Sequence, residues 1–197
     1  MSKETLLPER ILDAAEAALR RYGVEKTNVV DIARALDMSH GNIYRHFPSK
    51  QALINAVVVR WLEALTKPLA AIADDRSRPA SERLLAWFET IRALKRRKVR
   101  DDPELFRVHQ EVATHSHDVV EKHIRIMLAQ IEKMIAEGIA AKEFSRELDI
   151  KVAAQALLHA TSSFHHPAMV MQQPPLTKAN AQAVLGLLLA GLRHGTV

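Results

Sequence analysis

The chain is 197 residues long, 48% hydrophobic and 26% charged, with a formal net charge of +5 and no cysteine. That length can bury a sizeable core in one large domain or two small ones, while the missing thiols exclude disulfides, thiolate zinc sites and a cysteine nucleophile. Only 6 glycines and 8 prolines argue against a β-rich or disordered protein, no apolar run reaches membrane-spanning length, and MSKETLLPER lacks a signal peptide's apolar core. An all-α, cytoplasmic chain with no membrane partner is expected.

Pro8 opens a first helix at a position that suits proline. Ile11, Leu12, Ala15, Leu19 and Tyr22 repeat on one face, and Gly23 ends it. The stretch from Thr27 to Lys50 then reads as two short helices joined by a tight turn. Val30, Ile32, Ala33 and Leu36 give the first of these an apolar side, with Asn28 as its cap and Asp31 placed to reach back in capping-box fashion. Asp37 stands where the chain must turn, and aspartate tolerates the left-handed conformation better than most residues. Ser39 caps the second helix, which begins at His40 and buries mainly Ile43 and the Phe47 ring. His40, Asn42, Tyr44, Arg45 and His46 are left pointing outward. Five such donors do nothing for a core. They suit a recognition helix in a DNA major groove, where Arg and Asn pair with base edges and Tyr and His with phosphates.

Ala33 to Lys50, with Ser39, Gly41, Ile43-Tyr44, His46-Phe47 and Ser49-Lys50 at their spacings, resembles the TetR family of bacterial transcriptional regulators. The one departure is Asp37, where the family usually places glycine. The resemblance implies an all-helical homodimer of about nine helices, with residues 1–50 as the helix-turn-helix head and 51–197 as the ligand-binding and dimerisation domain. It implies a palindromic double-stranded DNA operator, released when a small-molecule effector enters the C-terminal domain. Carried over residue by residue, Ser39 opens the recognition helix, and His40, Gly41, Asn42 and Arg45 reach base edges, Gly41 by letting the backbone approach. Thr27, Asn28, Tyr44, His46 and Lys50 position the head on phosphates.

After Pro48, Ser49 caps a fourth helix through Leu53, Ile54, Val57, Val58, Trp61, Leu62 and Leu65. Ser81 caps the next, with Leu84, Leu85, Trp87, Phe88, Ile91 and Leu94 on its apolar face. The basic run Arg92, Lys95, Arg96, Arg97, Lys98 and Arg100 closes that helix and reads as a solvated end favoured by the helix dipole, or else as a second DNA contact. Asp102-Pro103 starts a helix carrying Leu105, Phe106, Val108, His109 and Val112. A longer one runs from Ser116 to Gly138, then one from Asp149 to Phe164, a break at Pro167 and Pro174-Pro175, and a last helix capped by Thr177 and reaching His194. The last two helices, 149–164 and 178–194, mix large apolar and small residues (Ala153, Ala156, Leu157, Ala160, then Ala183, Val184, Leu187, Leu188, Ala190 and Gly191) and are the expected homodimer surface.

The body offers two kinds of ligand site. Trp87, Phe88, Phe106, Met127, Met134 and Phe164 are candidate walls of an apolar effector pocket, with His109 or Gln130 as its polar contact. Alternatively His109, His115, His117 and His123 would hold a divalent metal such as zinc, nickel or copper, making the chain a metal sensor with the same head. No motif of fixed spacing such as HExxH accompanies them. No GxSxG, Walker glycine loop or dinucleotide fingerprint occurs, and a helical metal-dependent hydrolase would leave the outward-facing helix unexplained. The expected function is a regulator, not an enzyme, and the certain cofactors are none.

Overall fold

The computed structural model describes residues 6–172 and 176–195, and among these it contains helices and no strand. Helix α1 (Leu6–Lys26) is interrupted at Gly23, whose φ of 71° breaks the ladder one turn before the end. Ile11, Leu12, Ala15 and Leu19 are its buried face; Tyr22, expected there, is 48% exposed beside Arg21.

Helices α2 (Val29–Ala35) and α3 (His40–His46) follow. The Asn28 side chain accepts the Val30 N–H at 2.9 Å and so caps α2. Asp31 does not complete a capping box. It pairs instead with Arg34 one turn on, at 3.0 Å, an opposite charge on the same helix face. Asp37 adopts the expected left-handed conformation, φ 53°. Ser39 holds the N-cap position of α3, but its hydroxyl makes no capping bond. Val30 is 43% exposed, so the apolar side of α2 rests on Val29, Ile32 and Ala33.

Helix α4 (Lys50–Asp74) starts where Ser49 Oγ accepts the Ala52 N–H at 3.0 Å. It continues past Leu65 through Pro68, further than its sequence pattern suggests. Proline removes a helical hydrogen bond, but Leu69 and Ala73, 0% and 1% exposed, carry the buried stripe onward, and that burial outweighs the lost bond. Helix α5 (Ala80–Asp101) is capped from outside its own sequence neighbourhood. The Ala80 and Ser81 N–H groups donate to the Glu143 carboxylate at 2.8 and 3.0 Å, and the Ser81 hydroxyl donates to it as well, at 2.7 Å. Ser81 therefore donates to the capping group instead of being it. Burial works against the Glu143 anion, but these bonds hold its carboxyl below the usual range, as an anion at a helix N-terminus should be.

Helix α6 (Pro103–His115) buries Leu105, Phe106, Val108, His109 and Val112, the face its spacing predicts. Helix α7 (His117–Ala140) does not stop at Gly138. Glycine stands there because the Phe144 ring lies against it: a Cβ would fall 2.2 Å from Phe144 Cδ2 and 3.1 Å from the Ala80 Cβ. With Phe144 itself buried, Gly138→Ala is expected to cost about 1–3 kcal/mol through overpacking. Urea denaturation checks this, and an unchanged midpoint would mean the ring yields freely.

The remainder is α8 (Ile150–Ala160), α9 (Ser162–His165), α10 (Pro167–Val170) and α11 (Lys178–His194). Eleven helices among the described residues exceed the nine or so expected because α9 and α10 are single turns. The 149–164 segment breaks at Thr161, a fully buried residue whose hydroxyl donates to the Leu157 carbonyl at 2.8 Å. Thr177 caps α11 by accepting the Asn180 N–H at 3.1 Å, and Gly195 ends it in the left-handed region. Pro167 opens α10; Pro174 and Pro175 lie outside the described residues.

The chain divides into two compact units, Met1–Glu63 with Arg100–Val120, and Ala64–Val99 with Glu121–Val197. In the first, α2 and α6 pack on α1 and α3 packs on α2. Its core includes Ile11, Leu19, Ile32, Ile43, Val57 and Phe106. Arg60 on α4 bonds Glu9, Asp13 and Glu16 of α1 at 3.2, 2.7 and 2.6 Å. Arg20 in turn grips Asp102 at 3.0 and 2.9 Å. The core of the second unit is built on Trp87, Phe88, Ile91, Met127, Ile131, Met134 and Phe164. No helix among the described residues is long and apolar enough to cross a membrane.

Candidate nucleic-acid interface

Helix α3 is anchored by one residue. Ile43 is fully buried and Phe47 half-buried, whereas His40, Gly41, Tyr44, Arg45 and His46 are exposed. The His40 and Tyr44 rings meet edge to face, 6.3 Å between centroids and 88° apart, which steadies two polar groups on one outward face. Asn42, expected to project like its neighbours, is half-buried, with its amide turned toward Met38 Sδ at 4.0 Å. Gly41 is solvent-facing, and a Cβ there would meet only Ser39 Oγ, at 3.9 Å. Nothing inside the chain requires glycine at that position.

Around α3, Asn28 and Ser39 are exposed. Thr27, expected to reach a phosphate, is 4% exposed and its hydroxyl donates to the Gly23 carbonyl at 2.6 Å. In the free chain it fastens the end of α1. Lys50 is half-buried at the start of α4, its ammonium donating to the Glu25 carbonyl at 3.2 Å.

The second unit gathers six of the eight expected pocket residues. Trp87, Phe88, Met127, Met134 and Phe164 belong to its core, and Gln130 Oε1 accepts the Trp87 indole N–H at 2.8 Å. Phe106 and His109 belong to the first unit, where the Trp61, Phe106 and His109 rings meet edge to face or tilted, with centroids 4.6–5.9 Å apart. Helical spacing assigns a residue to a face but leaves open which neighbour that face meets.

The histidines expected to hold metal are dispersed in the same way. His109 is in that aromatic cluster, and His115 Nδ1 bonds the Glu111 carbonyl of its own helix at 2.9 Å. His117 opens α7, and His123 belongs to the second unit. Among the described residues no three histidine, aspartate or glutamate side chains come together as a metal site.

The basic run at the end of α5 is not uniformly solvated. Arg92 and Arg96 donate to the Leu176 carbonyl at 2.6 and 3.1 Å, and Lys95 is 1% exposed. Burial lowers the Lys95 ammonium to about 7. Burial, with Lys95 and His165 nearby, lowers His123 to about 3. His165, depressed by burial and by Lys95 against the bond to Leu158, falls to about 4. Neither Lys95 nor His165 figured in the expected pocket. The available signal was spacing, because Lys95 falls on the stripe of Leu84, Trp87, Phe88 and Ile91, one turn beyond Ile91.

Two family models match the chain. One, described as bacterial regulatory proteins, tetR family, covers residues 11–57; the other, described as tetracyclin repressor-like, C-terminal domain, covers residues 80–185. The HTH-type transcriptional regulator YhgD of Bacillus subtilis is 26% identical over 183 residues, covering 90% of each chain. The HTH-type transcriptional regulator Mb2274c of Mycobacterium bovis is 26% identical over 133 residues, 68% of this chain, which spans 62% of that protein's length. In fold the chain is similar to SmeT, the repressor of the Stenotrophomonas maltophilia multidrug efflux pump SmeDEF, with a TM-score of 0.65 at 24% identity, covering 93% of this chain and 89% of that one.

Proposed function

This chain belongs to the TetR family of bacterial regulatory proteins, and from that premise we propose that it is a ligand-responsive repressor that binds DNA as a homodimer. The observation that carries the reading is α3 itself: a short helix, held by Ile43, whose remaining face is exposed and polar. Residues 1–50 form the DNA-reading head and residues 51–197 the part that binds effector and partner. The protein works in the cytoplasm on a palindromic operator, and its role is regulatory, without catalysis.

On DNA, His40, Asn42 and Arg45 read base edges, with Asn42 turning away from Met38 to do so. Gly41 admits the groove, a role its empty surroundings favour. Asn28, Ser39, Tyr44, His46 and Lys50 set the head on phosphates. Two heads are needed because one short helix reads too few bases alone. The dimer surface is formed by α8 and α11, whose outward faces carry Val152 and Leu187, 50% and 76% exposed. Ala183, Gly186 and Ala190 flank Leu187 at helical spacing, and a Cβ at Gly186 would meet nothing in its own chain. Effector binding in the second unit acts on the heads through α4, which is continuous from Lys50 to Asp74.

The experiment is a pull-down of genomic DNA fragments at fixed near-physiological salt, sequenced for enriched sites, followed by comparison of two variants. Arg45→Ala is expected to lose about 1–3 kcal/mol on the enriched site and to relax preference at one position, whereas Lys50→Ala weakens all sequences alike and lowers the salt slope by about one. Equal loss from both variants on every sequence would remove the distinction between reading and positioning. Recovery of no enriched palindromic site would sink the reading itself.

A further inference from the structure

One apolar side chain of the head is left out of its packing. Helix α2 buries Val29, Ile32 and Ala33, whereas Val30 is 43% exposed. Its place on the helix is fixed, because its own N–H donates to the Asn28 side chain at 2.9 Å in the bond that caps α2. As a β-branched residue it has one strongly preferred rotamer in a helix, so both of its methyl groups are held in position. Arg34 stands one turn further along the same face. That face is one wall of an open groove. Val30 and Arg34 line it from α2, Asp37 from the turn, and Ser39 and His40 from the start of α3. The groove is therefore continuous with the helix that meets DNA, and Val30 shares it with His40. Tyr44, the other large apolar residue exposed on these two helices, carries a hydroxyl that can serve a phosphate. Val30 has no polar atom to offer.

We propose that Val30 is a specificity residue that packs against the C5-methyl group of a thymine in each half-site, an inference that rests on the DNA-binding reading above. That methyl is the only one a base pair presents in the major groove, where the other edges offer donors and acceptors. Set against any other base, Val30 would cover a polar edge and strip it of water without returning a hydrogen bond, which is unfavourable. Against thymine, apolar surface of both partners leaves water together. The pairs formed by His40 and Arg45 recognise bases by their donors and acceptors, and Val30 adds a contact of the opposite chemistry from the neighbouring helix.

The test uses the full-length protein and the DNA site enriched in the pull-down, with each thymine replaced in turn by deoxyuridine. That replacement removes the C5-methyl and keeps both O4 and the pairing with adenine. One thymine in each half-site is expected to lose about fourfold in affinity on demethylation, the effect of roughly one buried methyl group. In Val30→Ala the same demethylation should change affinity by less than about twofold, the shortfall being the coupling between the two groups. Val30→Ile keeps the branched methyl and should keep the full loss. Thermal melts followed by circular dichroism check that both variants fold like the parent. A deoxyuridine series that is flat for the parent, or a sensitive thymine whose loss Val30→Ala leaves unchanged, would overturn the contact and leave DNA binding standing. Failure to enrich any site sinks the DNA-binding reading itself, and the Val30 contact falls with it.

Discussion

Leu187→Asp is expected to convert the protein to a monomer and to lower its affinity for a palindromic operator by about 10²–10⁴-fold, the advantage that a tethered second head supplies. Leu187 is the most exposed large apolar side chain among the described residues, at 76%, and sits in the middle of α11. The protomer gains nothing from it there, since single-chain burial leaves it in water. Between two copies of this face it would be covered, with Ala183, Gly186 and Ala190 letting the backbones approach. An aspartate in the same place brings a charge into that contact without an assigned partner, which is costly. Because the side chain faces solvent in the protomer, the variant should fold normally. Analytical ultracentrifugation and operator titration check both halves of the expectation. A Leu187→Asp protein that stays dimeric and keeps its operator affinity would place the dimer surface elsewhere.

The second large effect concerns stability. Arg83, 4% exposed, donates to the Ala73 carbonyl at 2.9 Å and to Glu137 at 2.6 Å, tying together α4, α5 and α7. Glu137→Leu leaves that guanidinium buried with its charge uncompensated. Removing one partner of a buried pair costs about 3–5 kcal/mol, and the lower end applies because Glu137 is 25% exposed. The double variant Arg83→Met with Glu137→Leu should recover most of the loss, since no buried charge remains. Urea denaturation of the four proteins gives the cycle, and a Glu137→Leu cost under about 1 kcal/mol would mean the pair behaves as a surface one. The pH dependence has a definite sign. The hydrogen bond from Arg83, helped by Arg76 and opposed by burial, holds the Glu137 carboxyl below its usual 4.5. A depressed carboxylate stabilises the fold above its unfolded value, and that contribution disappears as pH falls through the folded one. The gap between parent and Glu137→Leu should therefore be widest above 4.5 and close as the solution is acidified below it.

Periodicity and local chemistry account for what could be read without coordinates. The buried faces of α1 and α6 follow their apolar spacing, and the caps at Asn28, Ser49 and Thr177 form as their positions suggest. Asp37 takes its left-handed turn, and α3 exposes the polar face that sets it apart from every core helix. These features depend on residues within a turn or two of one another, so a linear pattern contains them. The errors share the opposite property. Glu143 caps α5 from 62 residues away, Phe144 dictates the glycine at 138, and the buried stripe carries α4 through Pro68. The residues expected to line the apolar pocket, and separately the histidines expected to hold metal, divide between two units, and Lys95, which looked solvated among five other cations, is buried. Local sequence determined which residues form helices and which short helix is free to meet DNA, because capping and amphipathic spacing act at short range. Only the tertiary structure decided which faces meet and which charge is withdrawn from water, because those outcomes depend on partners that the chain brings together from far apart.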